Sequence, residues 1–232
     1  MPPDPPGNVT DLEALRGRRR VFADRPEAGC ALVPLLQACA GTGAIVLGIP
    51  AGGVPVAAAI AAALDLALDV AVVSKMTPSW NSEVGYGAVA FDGTRLVNED
   101  LVRRLGLTEA EVEEGVRLAR RKVERRLRRL RGDRPMPDLA GRAVILTDDG
   151  LASGFTMRCA LEAVGRLGAK ERIVAVPTAH SASVERVADL ADHVYCANLR
   201  SGYSFAVADA YRHWRDLDED EVAEVLAGFR YP

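Results

Sequence analysis

The chain is expected to fold as an α/β protein built on a doubly wound, mainly parallel sheet. Three observations predict this. Short apolar runs of strand length recur along the 232 residues, among them Ala44–Ile49, Ala143–Thr147 and Ile173–Val176. Stretches with helical periodicity lie between them, and strands alternating with helices build a parallel sheet covered on both faces. The run Val144–Met157, VILTDDGLASGFTM, reads as a strand that closes on two acids and passes through a small-residue turn into a helix. Ligands gather where the strands of such a sheet end.

The elements follow in order. Residues 1–20 begin MPPDPP, and the early prolines predict a loose N-terminal segment. Phe22–Cys39 is expected to be a helix, with Phe22, Ala31, Leu32, Leu35 and Leu36 at helical spacing. Ala44–Ile49 is a strand, Pro50–Pro55 a Gly/Pro turn, and Val56–Leu66 an alanine-rich helix. Asp69–Val73 reads as the next strand and Ser74–Gly93 as a loop or small hairpin. Asn98–Leu105 reads as a short helix.

Thr108–Arg131 is predicted as the longest helix. It opens on a T-x-x-E capping box at Thr108 and Glu111, and acids precede bases along it, as the helix dipole favours. The strand Ala143–Thr147 and the helix Met157–Leu167 follow. Then come the strand Ile173–Val176, a helix over Ala182–Leu190, the strand His193–Cys196 and a final helix from Asp218 to Phe229. One domain spanning 1–232 is expected.

Composition excludes several classes. Apolar residues make up 49% of the chain and charged residues 26%, the balance of a globular protein rather than a disordered one. The net charge is −3, which gives no global reason to expect nucleic-acid binding. The longest apolar run, Ala57–Val73, is interrupted by Asp65 and Asp69 and is not read as a membrane span. The N-terminus lacks the apolar core of an export signal. Cys30, Cys39, Cys159 and Cys196 show no C-x-x-C spacing and are read as reduced thiols, so a cytoplasmic location is expected.

The chemistry concentrates around Asp148 and Asp149. Backbone N–H groups of the turn and of the helix start point at an anion, and the two acids can accept hydrogen bonds from a vicinal diol. A ribose 5-phosphate carries both groups. The segment resembles the phosphoribosyl pyrophosphate (PRPP) motif of type I phosphoribosyltransferases, in which a hydrophobic strand and two acids precede a loop rich in Thr, Ser, Gly and Ala. The string WNSEVGYGAVAFDG, with Asn81, Glu83 and Tyr86, resembles the N-x-E-x-x-x-GAV segment of predicted stand-alone members of that family; these residues suit either a mobile lid or a dimer contact. The resemblance covers about Phe22 to Glu224 in order and spacing.

The resemblance implies a sheet of five or six strands with a small hood built from terminal segments, residues 177–232 supplying the hood and C-terminal helix. It implies transfer of ribose 5-phosphate from PRPP to a nitrogen nucleophile, with Mg²⁺ as cofactor, a small-molecule acceptor as partner and a homodimer as the assembly. Asp148 and Asp149 would hold the ribose hydroxyls, directly or through Mg²⁺. Gly150, Ala152, Ser153, Gly154, Phe155 and Thr156 would bind the 5-phosphate. Gly52, Gly53 and Lys75 would meet the pyrophosphate, whose negative charge grows as the C1–O bond breaks. Members of the family often carry a basic residue before the two glycines; here that position is Ala51, one positive charge fewer.

Other features keep two readings. The aromatic segment Arg200–Trp214 places Tyr203, Phe205, Tyr211 and Trp214 together, suited either to stacking on a planar base or to anchoring the C-terminal helix. Tyr203 and Phe205 are the acceptor-binding candidates. His180 sits at a strand end, where a satisfied structural role is the leading reading. The basic half of the long helix carries nine cations, from Arg117 to Arg131, opposite an apolar stripe. A solvated face is the leading reading; contact with nucleic-acid phosphates, in a PRPP-binding regulatory protein, is the rival. A hydrolase or phosphorylase acting on a ribosyl phosphate is a third class. No purine, uracil or orotate pattern identifies the acceptor.

Overall fold

The computed structural model describes residues 6–81, 84–202 and 204–229. Its elements run β1 (Val9–Asp11), α1 (Arg25–Leu32), β2 (Ile45–Gly48), α2 (Gly53–Leu64), β3 (Ala67–Val70), β4 (Val73–Met76), β5 (Gly87–Ala90), β6 (Arg95–Val97), α3 (Glu99–Leu105) and α4 (Glu109–Arg131). They continue with β7 (Ala143–Thr147), α5 (Phe155–Arg166), β8 (Glu171–His180), α6 (Ser181–Ala188), β9 (His193–Arg200) and α7 (Glu219–Ala227).

Six parallel strands form the main sheet in the order β1-β9-β8-β7-β2-β3. The doubly wound expectation holds. From β2 the chain crosses through α2 to β3 on one side; from β7 it crosses through α5 to β8 on the other. The carboxyl ends of β2 and β7 therefore flank the point where strand order reverses, the crevice in which ligands bind in open α/β sheets. One apolar core packs α5 and α6 against one face, and a second packs α1, α2 and α7 against the other.

Several boundaries differ from the sequence reading. The first helix is shorter: Asp24 caps it by accepting from the Glu27 N–H at 3.0 Å. Past Leu32 the chain tightens into a 3₁₀ turn over Val33–Cys39, because Pro34 has no N–H to continue the α ladder. Phe22 lies outside the helix and bridges Tyr211 in parallel. Pro55 sits inside the first turn of α2, where its missing N–H costs nothing, so that helix starts earlier than Val56.

The apolar run expected as one strand, Asp69–Val73, is split. β3 ends at Val70, and Val73 opens β4 in a separate antiparallel sheet of order β4-β5-β6. Within 74–93, expected as a loop or small hairpin, β4 and β5 pair antiparallel, and the sheet they form with β6 packs with α3 and α4 around Met76, Tyr86, Val89, Val102 and Val116. Val9–Asp11, within the segment expected to be loose, pairs with β9 as the edge strand. The terminal segments also join each other: the Arg212 N–H donates to the Phe22 carbonyl and the His213 N–H to the Ala23 carbonyl, both at 2.8 Å.

The capping box of α4 forms as the sequence indicates. Its carboxyl end is fixed by an ion pair between Arg131 and Asp69 of β3 at 3.0 Å, with both side chains buried. No helix among the described residues is long and apolar enough to cross a membrane.

A cavity at the carboxyl ends of the central strands

A cavity of about 550 Å³ opens at the switch point. It is lined by Ile49 and Pro50 after β2, Ser74 and Lys75 of β4, Asp148 to Gly154 after β7, Thr156 of α5, and Lys122 and Arg126 of α4, with Val207 and Trp214 from the C-terminal segment. The acid pair, the small-residue turn and Lys75 thus share one space, although β4 belongs to a different sheet.

The turn is built to present its backbone. Gly154 takes the N-cap position of α5 with φ +74°, a conformation in which a side chain is strained. Ser153 Oγ accepts from the Phe155 N–H at 3.3 Å. From α6, Ser183 Oγ donates to the Ala152 carbonyl and Arg186 to the Ser153 carbonyl. Ala152 and Ser153 are exposed, Gly154 is buried, and Phe155 and Thr156 are half-buried. The free N–H groups at the start of α5 and the helix dipole favour an anion there.

The two acids have different partners. Asp148 accepts from the Asp149 N–H at 2.9 Å. Burial, followed by the adjacent Asp149 charge, pushes its carboxyl well above the usual range, and Lys75 opposes that shift. Asp149 is also raised by burial, against the lowering effect of Arg25. Arg25 Nε donates to Asp149 Oδ2 at 2.9 Å, and the Tyr211 hydroxyl donates to the Asp149 carbonyl at 2.6 Å. Burial and the nearby Asp149 charge raise the Tyr211 hydroxyl pKa, so it remains a donor.

Gly52 and Gly53 stand beside this pair rather than on the cavity wall. A Cβ on Gly53 would lie 2.6 Å from the Thr147 carbonyl oxygen and 2.8 Å from the Asp148 Cα. A Cβ on Gly52 would run into the Asp149 carboxylate. The two glycines let the start of α2 press against the end of β7.

Arg25 escapes a sequence reading. It is 8% exposed, yet nothing in its neighbourhood marks it as buried. It reaches Asp149 across 124 positions and lies under the Trp214 ring, with Cζ 4.1 Å from the centroid. Lys122 and Arg126 were visible only as part of a basic run. The cavity wall selects these two from the nine cations. Several of the others are paired: Arg117 with Glu114, Arg129 with Asp220 and Arg131 with Asp69.

The remaining candidates are placed as follows. Phe205 packs edge-on to His180, with centroids 5.7 Å apart, and under Arg200, away from the cavity lining. His180 caps α6 by accepting from the Ala182 N–H and contacts the Gly202 carbonyl, the satisfied role the sequence favours. Tyr86, read as part of a lid, is buried with its hydroxyl facing the Glu111 carbonyl of α4, because β5 and its flanking residues pack on that helix. Tyr203 and Glu83 lie outside the described residues. The cavity can therefore seat an anion at the α5 start, offer carboxylates to hydroxyls beside it, and present cations opposite.

The family model for the phosphoribosyl transferase domain matches residues 35–209. Two curated proteins of Mycobacterium tuberculosis, one from strain CDC 1551 and one from strain H37Rv, are each 36% identical over 207 residues; their names provisionally assign them as phosphoribosyl transferases. The match covers 89% of this chain and 46% of each relative, so the chain spans about half the length of those proteins. The crystal structure of TT1426 from Thermus thermophilus superposes with a TM-score of 0.75 at 32% identity, covering 90% of this chain and 98% of that one.

Proposed function

The chain belongs to the phosphoribosyltransferase family, and from that premise we propose that it transfers the ribose 5-phosphate of PRPP to a nitrogen of a nucleobase-like ring and releases pyrophosphate. The observation that carries this is the meeting of the acid pair, the N-terminus of α5 and Lys75 in one cavity.

Gly150, Ala152, Ser153, Gly154, Phe155 and Thr156 hold the 5-phosphate through backbone N–H groups and the two hydroxyls. Asp148 and Asp149 take hydrogen bonds from the ribose diol and orient C1. The bond from C1 to the pyrophosphate oxygen breaks, the bond to the acceptor nitrogen forms, and the displaced N–H proton goes to solvent. Charge on the leaving group is met by Lys75, while Gly52 and Gly53 keep the β2–α2 turn close to the acids. Positioning and charge neutralisation supply most of the catalysis.

The site fits a Mg²⁺ ion carried in with substrate. Among the described residues no cluster of three or more His, Cys, Asp or Glu forms a dedicated metal cage. Mg²⁺ keeps several waters and binds through one or two carboxylates plus substrate phosphates. Asp148 and Asp149 would hold it, directly or through water, and it would neutralise phosphate charge. Trp214 offers the aromatic face on the cavity wall for the acceptor ring. Phe205 keeps its sequence-based candidacy from outside that wall, and Tyr203, which is not among the described residues, keeps its own.

Pyrophosphate release from PRPP, followed across a panel of nitrogen heterocycles, tests the reading. Release that depends on one class of ring supports it; PRPP binding without turnover for any ring points to the regulatory alternative.

A further inference from the structure

We propose that Lys122 of α4 joins Lys75 as the cation pair that receives the pyrophosphate, supplying the positive charge that this chain lacks at Ala51. This deepens the reading of the cavity as a PRPP site and rests on it.

Lys75, Lys122 and Arg126 are the Lys and Arg side chains on the described cavity wall. Arg126 is already matched by Glu219 of α7 at 3.0 Å. Neither Lys75 nor Lys122 has an ion pair or side-chain hydrogen bond among the described residues, and both side chains are exposed to the space they line. Two ammonium groups with no direct ion pair among the described residues therefore line the same cavity as the two carboxylates, with Lys75 near enough to Asp148 to lower its pKa. An incoming diphosphate satisfies both groups at once.

The helix that carries Lys122 is held in place. Val123, beside it, is buried in the core that also packs α1, α2 and α7, and Arg131 is locked to Asp69. Nearer the amino end, Gly115 leaves room for the Tyr86 hydroxyl, so α4 lies directly on the small sheet that carries Lys75. Both lysines hang from rigid elements, and only their flexible stems must be ordered when the anion arrives.

Calorimetric titration with inorganic pyrophosphate, ribose 5-phosphate and PRPP, each with Mg²⁺, tests the assignment. The proteins are the wild type, Lys122→Ala, Lys122→Arg and Arg120→Gln, a cation on the opposite side of α4. Lys122→Ala is expected to weaken pyrophosphate and PRPP by roughly 10- to 100-fold, the effect of one charge-assisted contact, and to leave ribose 5-phosphate unchanged. Lys122→Arg should restore most of the loss, and Arg120→Gln should bind as wild type. Unaltered pyrophosphate affinity in Lys122→Ala overturns the assignment alone. So does an equal loss for ribose 5-phosphate, or for Arg120→Gln. A wild type that binds none of the three overturns the reading of the cavity as well.

Discussion

Arg25 and Asp149, 124 positions apart, form a part-buried ion pair with Nε 2.9 Å from Oδ2, and the Trp214 ring closes over the guanidinium at 4.1 Å. The pair ties the first helix to the end of the central strand and fixes one of the two acids. Asp148 makes no such ion pair among the described residues; it lines the cavity with Lys75, whose charge acts on it from a distance.

Removing Arg25 leaves Asp149 buried without a counter-charge. Arg25→Met is expected to lower unfolding free energy by about 3 kcal/mol, measured by urea denaturation. Arg25→Met/Asp149→Leu should recover part of that loss, because the orphaned charge goes with it.

Gly53→Ala forces its new methyl against the backbone of Thr147 and Asp148. A loss of roughly 1–3 kcal/mol is expected, and any ligand that depends on the acid pair should bind more weakly. Wild-type stability in this variant, followed by thermal melting, would show that the β2–α2 turn yields easily.

The acid pair costs stability when both groups are charged. The Asp148 pKa is higher in the folded chain than in the unfolded one, because burial and Asp149 disfavour its anion. Between those two values the folded state binds more protons, so stability falls as pH rises through that window. Asp148→Asn removes Asp148's share of this slope, the buried Asp149 keeping its own. In metal-free buffer the variant should be more stable than wild type near pH 7 by about 1 kcal/mol, with the gain shrinking on acidification. A variant equally stable at both ends would contradict the shift.

The thiols separate by exposure. Cys30 is exposed and Cys39, Cys159 and Cys196 are buried. Burial pushes the Cys159 thiol up to about 12 and Cys196 higher still. Ellman's reagent should titrate Cys30 rapidly in the native protein, and the remaining three only on unfolding.

Much of this was legible in the sequence where a local pattern has one physical meaning. The T-x-x-E box starts α4, and the apolar run before Asp148 is a central strand. Partners brought together by topology were not legible. Asp69 looked like the start of a strand, yet it is the buried counter-ion of Arg131. The apolar stretch 70–73 hid the point where the chain leaves one sheet for another, because burial on both sides looks the same in sequence. Lys122 and Arg25 carried no local signal; their places follow from how α4 and α1 pack.

Binding of PRPP, followed by calorimetry with and without Mg²⁺ on the wild type and on Asp148→Asn/Asp149→Asn, tests the central claim most directly. Mg²⁺-dependent binding that disappears in the double variant is the expected result. A wild type that does not bind PRPP under either condition contradicts both the transferase reading and its regulatory alternative.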